Sequence, residues 1–242
     1  MRLGIMQPYF FPYLGHFDLI HNTDRWIIFD TPQYIRHGWI NRNRILHPQT
    51  GWQYVIVPLS KHGHRTAIND IRVNDQVRWR DTLLGQLTHY KRRAPFYAET
   101  LDLVRDCLAR PETSISRLNG HILEKICQRL GITFDHVYFS DLDLNIGEAT
   151  HPGDWALRIA AALGAHEYIN PPGGEALFDP AAFASHGIKL TIRQPTHMKY
   201  SCRGCLFEPN LSVIDVLMWN NPKTIKAFLD QHALPRHEVP QD

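Results

Sequence analysis

The opening stretch of the chain constrains the fold more than any other part of it. Two short runs that are apolar throughout, residues 3–6 (LGIM) and 26–29 (WIIF), flank a segment at residues 17–23 whose apolar positions recur at helical spacing. A run without alternation predicts a strand buried on both faces. Strand, turn, helix and strand within roughly thirty residues is the size of one crossover unit joining two parallel strands. The chain is therefore expected to build an α/β sheet whose ligand crevice lies beyond the carboxyl ends of its strands. Gln7 and Asp30 both fall there.

The remaining pattern extends this reading. Residues 52–59 predict another strand and residues 68–73 a short extended piece. From residue 77 to 130 the spacing turns helical, with Leu83, Leu84 and Leu87 on one face and Leu101, Leu103, Val104 and Leu108 on another. Ile115, Leu118, Ile122, Ile126 and Leu130 form a third face, and Gly131 marks the stop. "TFDHVYFSDL" reads as a returning strand, residues 155–163 as an amphipathic helix closed by Gly164, "EYIN" as a strand and "PPGG" as a tight loop. "IKLTIRQ" is a late strand, residues 213–219 begin a helix capped by Ser212, and the tail after Pro235 is expected to be loose. The expected class is α/β, a central and mostly parallel sheet flanked by helices with a helical layer or subdomain in the middle of the chain. Residues 1–76 and 131–242 would form the α/β core and 77–130 the helical insertion, unless all belong to one domain.

Composition removes several functions. With 43% hydrophobic residues in 242, the chain has enough apolar surface for a sizeable core. The 26 Lys+Arg against 24 Asp+Glu leave a formal charge of +2, which by itself argues for neither a nucleic-acid nor a membrane partner. The initial apolar run stops at Gln7 and Pro8, too short for a signal peptide, and no stretch approaches the ~18 apolar residues of a membrane span. A cytoplasmic protein with reduced cysteines is expected, because four of them are too few and too unevenly placed for a disulfide framework.

Three segments carry the residues suited to chemistry. In "MQPYFFPYLGHFDLIH" a loop with two prolines runs into Gly15-His16 at a helix start, where backbone N–H groups and His16 are placed to meet phosphate. This corner is similar to that of nucleotidylyltransferases and of the amide ligase that makes pantothenate, although only His16 of the two histidines occupies the register. The competing reading packs Tyr9, Phe10, Phe11 and Tyr13 on the core and leaves His16 as a helix cap. In "DTPQYIRHGWINRNRI" the residues Asp30, Gln33, Tyr34, Arg36, His37, Trp39, Asn41, Arg42, Asn43 and Arg44 follow a buried strand, as the residues of a ligand-reading loop do. Arg42 and Arg44 offer planar forks for phosphate or carboxylate, and the bland alternative is a solvated arginine-rich turn. Gly173 and Gly174 would let backbone approach a ligand, or only turn the chain. The pair Cys202 and Cys205 lacks two further zinc ligands, and the histidines are not at metal-motif spacing, so no metal is expected.

Four segments, "QPYFFPYLGHF", "DTPQYIRHGWINRNRI", "LGAHEYINPPGG" and "FEPNLSVIDVLM", resemble the WbqC-like proteins in the same order over nearly the full chain. Met6 stands where many relatives carry a histidine, and Cys202 where many carry a glutamine. The resemblance implies a cytoplasmic bacterial protein of O-antigen, surface-polysaccharide or secondary-metabolite biosynthesis that transfers an acyl or aminoacyl group onto an amine, such as that of a nucleotide-linked amino sugar. In that reading Arg42 and Arg44 clamp phosphate, and His16 or Asp30 takes the amine proton. Gln7, Asn41 or backbone at Gly15 then steadies the developing negative charge. The donor would be a coenzyme A thioester, an aminoacyl-tRNA or an acyl group activated by ATP. The partners would be a small molecule or nucleotide sugar, with no membrane and no nucleic acid other than a charged tRNA. The alternatives are a nucleotidylyltransferase-like enzyme or ATP-dependent amide ligase, or a non-catalytic binder of a sugar precursor or of nucleic acid through "INRNRI" and "HYKRRAPFY". All of this requires the two early segments to share one cavity wall.

Overall fold

The computed structural model describes residues 1–144, 146–147 and 151–235, so the segment after Pro235 lies outside the described residues. Five strands form one parallel sheet: β1 (Arg2–Met6), β2 (Arg25–Ile28), β5 (His136–Tyr138), β6 (Glu167–Asn170) and β7 (Lys189–Ile192). Their order across the sheet is β5-β2-β1-β6-β7. The chain thus builds outward from β1 to one side, returns, and builds to the other, which is the doubly wound arrangement. The reversal between β1 and β6 makes successive connections diverge there, opening a crevice at the carboxyl ends of the strands.

Alternation within each strand divides the core between the two faces of the sheet. Leu3, Ile5, Ile27 and Tyr168 face one way, into a cluster with α5 (Asp154–Ala162) and α6 (Pro180–Ser185). Trp26, Ile28 and Ile169 face the other, into a larger cluster that includes α1 (Leu14–His21) and the helical middle of the chain, α2 (Trp79–Gln86), α3 (Tyr97–Ala109) and α4 (Ile115–Leu130). The C-terminal helices α7 (Val213–Trp219) and α8 (Pro222–Gln231) join the same cluster through residues such as Ile214 and Ile225. Ser212 caps α7 as its position predicts, accepting from Ile214 N, and Gly131 ends α4 in the left-handed region. Among the described residues, no helix is long and apolar enough to cross a membrane.

Several segments outside the sheet differ from expectation, among them residues 68–73, which open with a 3₁₀ turn at Ile68–Asp70. "RNRIL" is strand β3 (Arg42–Leu46), paired antiparallel with β4 (Trp52–Ile56) as a separate two-stranded hairpin. Period-two geometry points Asn43 and Ile45 inward, where both are buried, and turns Arg42 and Arg44 outward. "PPGG" also differs, since residues Pro172–Leu177 make a 3₁₀ turn.

Candidate functional site

The loop between β1 and α1 is buried, and a buried loop must find donors for its carbonyls. Three side chains from distant elements supply them. Asn119 Nδ2 on α4 donates to Pro8 O at 2.8 Å and to Ile40 O at 2.7 Å. Asn43 Nδ2 donates to Phe10 O and Phe11 O at 3.0 Å each, and Ser212 Oγ to Phe11 O at 2.7 Å. Phe10 and Phe11 fill the core beneath, leaving Tyr9 and Tyr13 half-buried on the other side. Gly15 is needed for the close approach at the start of α1, because a Cβ there would lie 2.3 Å from the Tyr13 ring and 2.9 Å from Pro195. The fully buried Asn119 is the anchor whose removal is easiest to read: Asn119→Leu leaves two buried carbonyls unpaired and is expected to lower the unfolding free energy by about 2–3 kcal/mol. Denaturant unfolding of the two proteins with equal midpoints would show that these carbonyls have other partners.

Pinned in this way, the loop forms one wall of a cavity of about 450 Å³ at the switch point of the sheet. Met6 at the end of β1 forms the floor with Pro171, Pro172 and Gly173 after β6, and Gln194, Pro195 and His197 follow from β7. Tyr9, Pro12 and Tyr13 line it together with Trp39, Asn43 and Arg44 of the segment hydrogen-bonded to the loop, and Asn210 lines it as well. The early proline-and-aromatic corner and the asparagine-arginine stretch therefore do border one cavity.

Arg44 supplies the wall with a fixed cation. Its guanidinium carbon lies 5.3 Å from the Trp39 ring centre and 5.1 Å from that of Trp52, and Nη2 makes a long 3.4 Å contact to Asn210 O. Among the described residues no carboxylate pairs with Arg44, so its charge is open to an anion. Burial raises the phenol pKa of Tyr9, and burial, then Tyr9, then Asp18 raise that of Tyr13. Both phenols remain protonated at neutral pH and available as donors. His197 is exposed and is the one imidazole among the described lining residues.

Buried polar ties hold the walls together. Asp215 on α7 accepts from Tyr90 Oη at 2.5 Å and Tyr200 Oη at 2.7 Å, while Tyr90 Oη accepts from Leu46 N at 3.0 Å. One carboxylate thereby links the end of β3, which carries Arg44, to the segment that carries His197. Burial raises the Asp215 pKa despite these donors.

Of the residues expected from sequence, the cavity brings together Trp39, Asn43, Arg44 and Gly173. Gln7 is half-buried at the end of β1 and does not line it. His16 is buried completely, with ring contacts to Tyr9, Trp26 and Phe17, neither nitrogen hydrogen-bonded, and its pKa pushed down to about 3 by burial. Asp30 is also buried completely, and accepts from Ser116 Oγ at 3.0 Å, Ser140 N at 3.0 Å and Ser140 Oγ at 2.8 Å. It ties the end of β2 to α4 and to the turn after β5, and does not line the cavity. Gln33 Nε2 donates to His64 O, Tyr34 Oη to Asn41 Oδ1, and Asn41 Nδ2 to Val57 O. Arg36 is exposed, Arg42 lies over the Tyr54 ring at 4.3 Å, and Gly174 packs against Asn170. Tyr9, Tyr13, Gln194, His197 and Asn210 were not singled out as ligand-facing by sequence. Gln194 ends the late strand segment, His197 and Asn210 sit in segments without periodicity, and only the strand order shows where they converge.

Fold and cavity together define a doubly wound α/β protein with an aromatic-walled cleft carrying a cation at its switch point. The chain belongs to the WbqC-like protein family, whose profile matches residues 7–227. It is 30% identical over 219 residues to the uncharacterized protein Rv1507c of Mycobacterium tuberculosis, covering 89% of this chain and 92% of that protein. No solved structure matches the chain.

Proposed function

We propose that this protein transfers an acyl or aminoacyl group onto the amine of an anionic small molecule, such as a nucleotide-linked amino sugar, in the assembly of bacterial surface polysaccharides or secondary metabolites. The observation that carries this reading is the placement of Arg44, a cation without a carboxylate partner among the described residues, between two indoles on the wall of the switch-point cavity. A guanidinium favours phosphate, and an adjacent exposed indole offers a face to a sugar or base.

The other lining groups suit amide formation. The amine nitrogen attacks the acyl carbon, the bond from that carbon to the leaving sulfur or oxygen breaks, and the amine proton passes to His197. The protonated phenols of Tyr9 and Tyr13, with the Gln194 amide, donate to the oxygen that gains charge in the tetrahedral intermediate. This assignment moves the base from His16, whose buried ring holds a proton only in acid, to His197.

The test is mass spectrometry of purified protein incubated with nucleotide-linked amino sugars and acyl donors, with and without ATP. A product heavier by the acyl group is expected. Arg44→Ala should raise KM for the nucleotide sugar by about 10–100-fold, as loss of a charge-assisted contact does. His197→Ala should lower kcat by about 10²–10⁴-fold. Wild-type rates in both variants would remove this site from the reaction.

A further inference from the structure

From Thr31 to Asn69 the chain contains no Asp or Glu but carries Arg36, Arg42, Arg44, Lys61 and Arg65, so its positive net charge is all in this segment. The rest of the molecule is net acidic. The segment contains the β3–β4 hairpin, and the structure shows how its outer face uses that charge. Arg42 and Arg44 point outward from β3, opposite Ile56 and Tyr54 of β4. Arg42 covers the Tyr54 ring, Arg44 lies between Trp52 and Trp39, and the Trp52 and Tyr54 rings stand 4.9 Å apart. Trp52 is 41% exposed and Trp39 37%.

We propose that this face binds single-stranded RNA. Aromatic rings interleaved with arginines form the type of surface on which unpaired bases stack while the cations track the phosphates. The spacing fits as well: alternate strand residues are about 6.8 Å apart, twice the ~3.4 Å rise of stacked nucleotides. None of Arg42, Arg44, Lys91 or Arg92 forms an ion pair among the described residues, so their charges are free to meet phosphate. The turn carrying Lys91 and Arg92 is fastened to the hairpin by Gln86 Nε2 donating to Tyr54 O and by Leu46 N donating to Tyr90 Oη. RNA is favoured over DNA because its unpaired loops and ends present the bases that such a face needs. The face meets the cavity at Arg44 and Trp39, so a bound strand would run toward it.

This inference stands apart from the amide-forming reading, because binding is measured without donor or acceptor. Fluorescence anisotropy with a labelled twelve-nucleotide single-stranded RNA at low salt should give micromolar binding, at least tenfold tighter than the same sequence as a duplex. The logarithm of affinity should fall with the logarithm of salt at a slope of about −2, as release from about three phosphates requires. Trp52→Ala and Arg42→Gln should each weaken binding about fivefold or more, while Arg105→Ala, far along α3, should not. Arg42→Gln keeps the hairpin intact if Trp52→Ala does not. Absence of binding, preference for the duplex, or unchanged affinity in both face variants overturns the proposal. So does self-association of the protein that Trp52→Ala abolishes, which would make this face a contact between copies. Failure here leaves the transfer reaction untouched, and failure of transfer leaves RNA binding to be read on its own.

Discussion

Asp18→Ala should lower the unfolding free energy by about 3–5 kcal/mol, the range for stranding one member of a buried ion pair. For a protein of this size that is on the order of 10 °C in Tm. Arg193 Nε and Nη2 each reach a carboxylate oxygen of Asp18 at 2.6 Å, and both residues are buried. The same Nη2 also donates to His232 O at 2.6 Å. The pair therefore joins α1, the exit of β7 and the end of α8. Alanine at 18 would leave a guanidinium enclosed with no counter-charge, and that penalty, more than the lost attraction, sets the size of the effect. Asp18→Leu combined with Arg193→Met removes both charges and should recover most of the stability. Chemical denaturation of the single and double variants separates the two terms. A loss below about 1 kcal/mol in the single variant, or a double variant no better than the single, would show that the pair is solvated. The double variant carries a second consequence: Gln194 and His197 follow directly from Arg193, so a stable protein that binds ligand poorly is expected.

The centre of the sheet is legible in the sequence because β1 and β2 are buried and read as mostly apolar runs, while β6 shows only an apolar Tyr-Ile pair between polar residues. "LGIM", "WIIF" and "EYIN" each announce a strand, and each forms one. The hairpin strand β3 is not legible in this way, because its inward positions are Asn43 and Ile45 and its outward positions are arginines. Asn43 takes an inward place that an apolar residue would fill in an ordinary strand, since the neighbouring loop needs its amide. Of the cavity, Trp39, Asn43, Arg44 and Gly173 could be picked out from residue type and position after a strand. His197 and Asn210 could not, because nothing local distinguishes them from other exposed loop residues. The burial of His16 was written in the sequence. Leu19 and Ile20 lie three and four residues on, so His16 shares the apolar face of α1, and helical periodicity outweighs the position next to Gly15.

Burial of His16 makes the stability of this protein depend on pH in a predictable direction. The ring is enclosed completely and its nitrogens have no partners, so the charged form is excluded and the pKa falls from 6.5 to about 3. Folded protein keeps the ring neutral while the unfolded chain protonates it at ordinary histidine pH. Above about pH 6.5 the two states bind protons equally at this site and there is no penalty. As pH falls from there toward 3 the unfolded state gains, at about 1.4 kcal/mol per pH unit, reaching about 5 kcal/mol. Replacing the ring with a leucine of similar volume removes the titration and two unpaired buried nitrogens. His16→Leu should then match or exceed wild-type stability at pH 7.5 and lead it by a further ~2 kcal/mol at pH 5. Taking the difference between the two proteins cancels the acid sensitivity of paired carboxylates such as Asp141 and Glu167, whose pKa values are lowered. Unfolding curves that stay parallel between pH 7.5 and 5 would mean that water or another group reaches the imidazole. Transfer activity lost in His16→Leu at undiminished stability would return the ring to the chemistry from which its burial removes it.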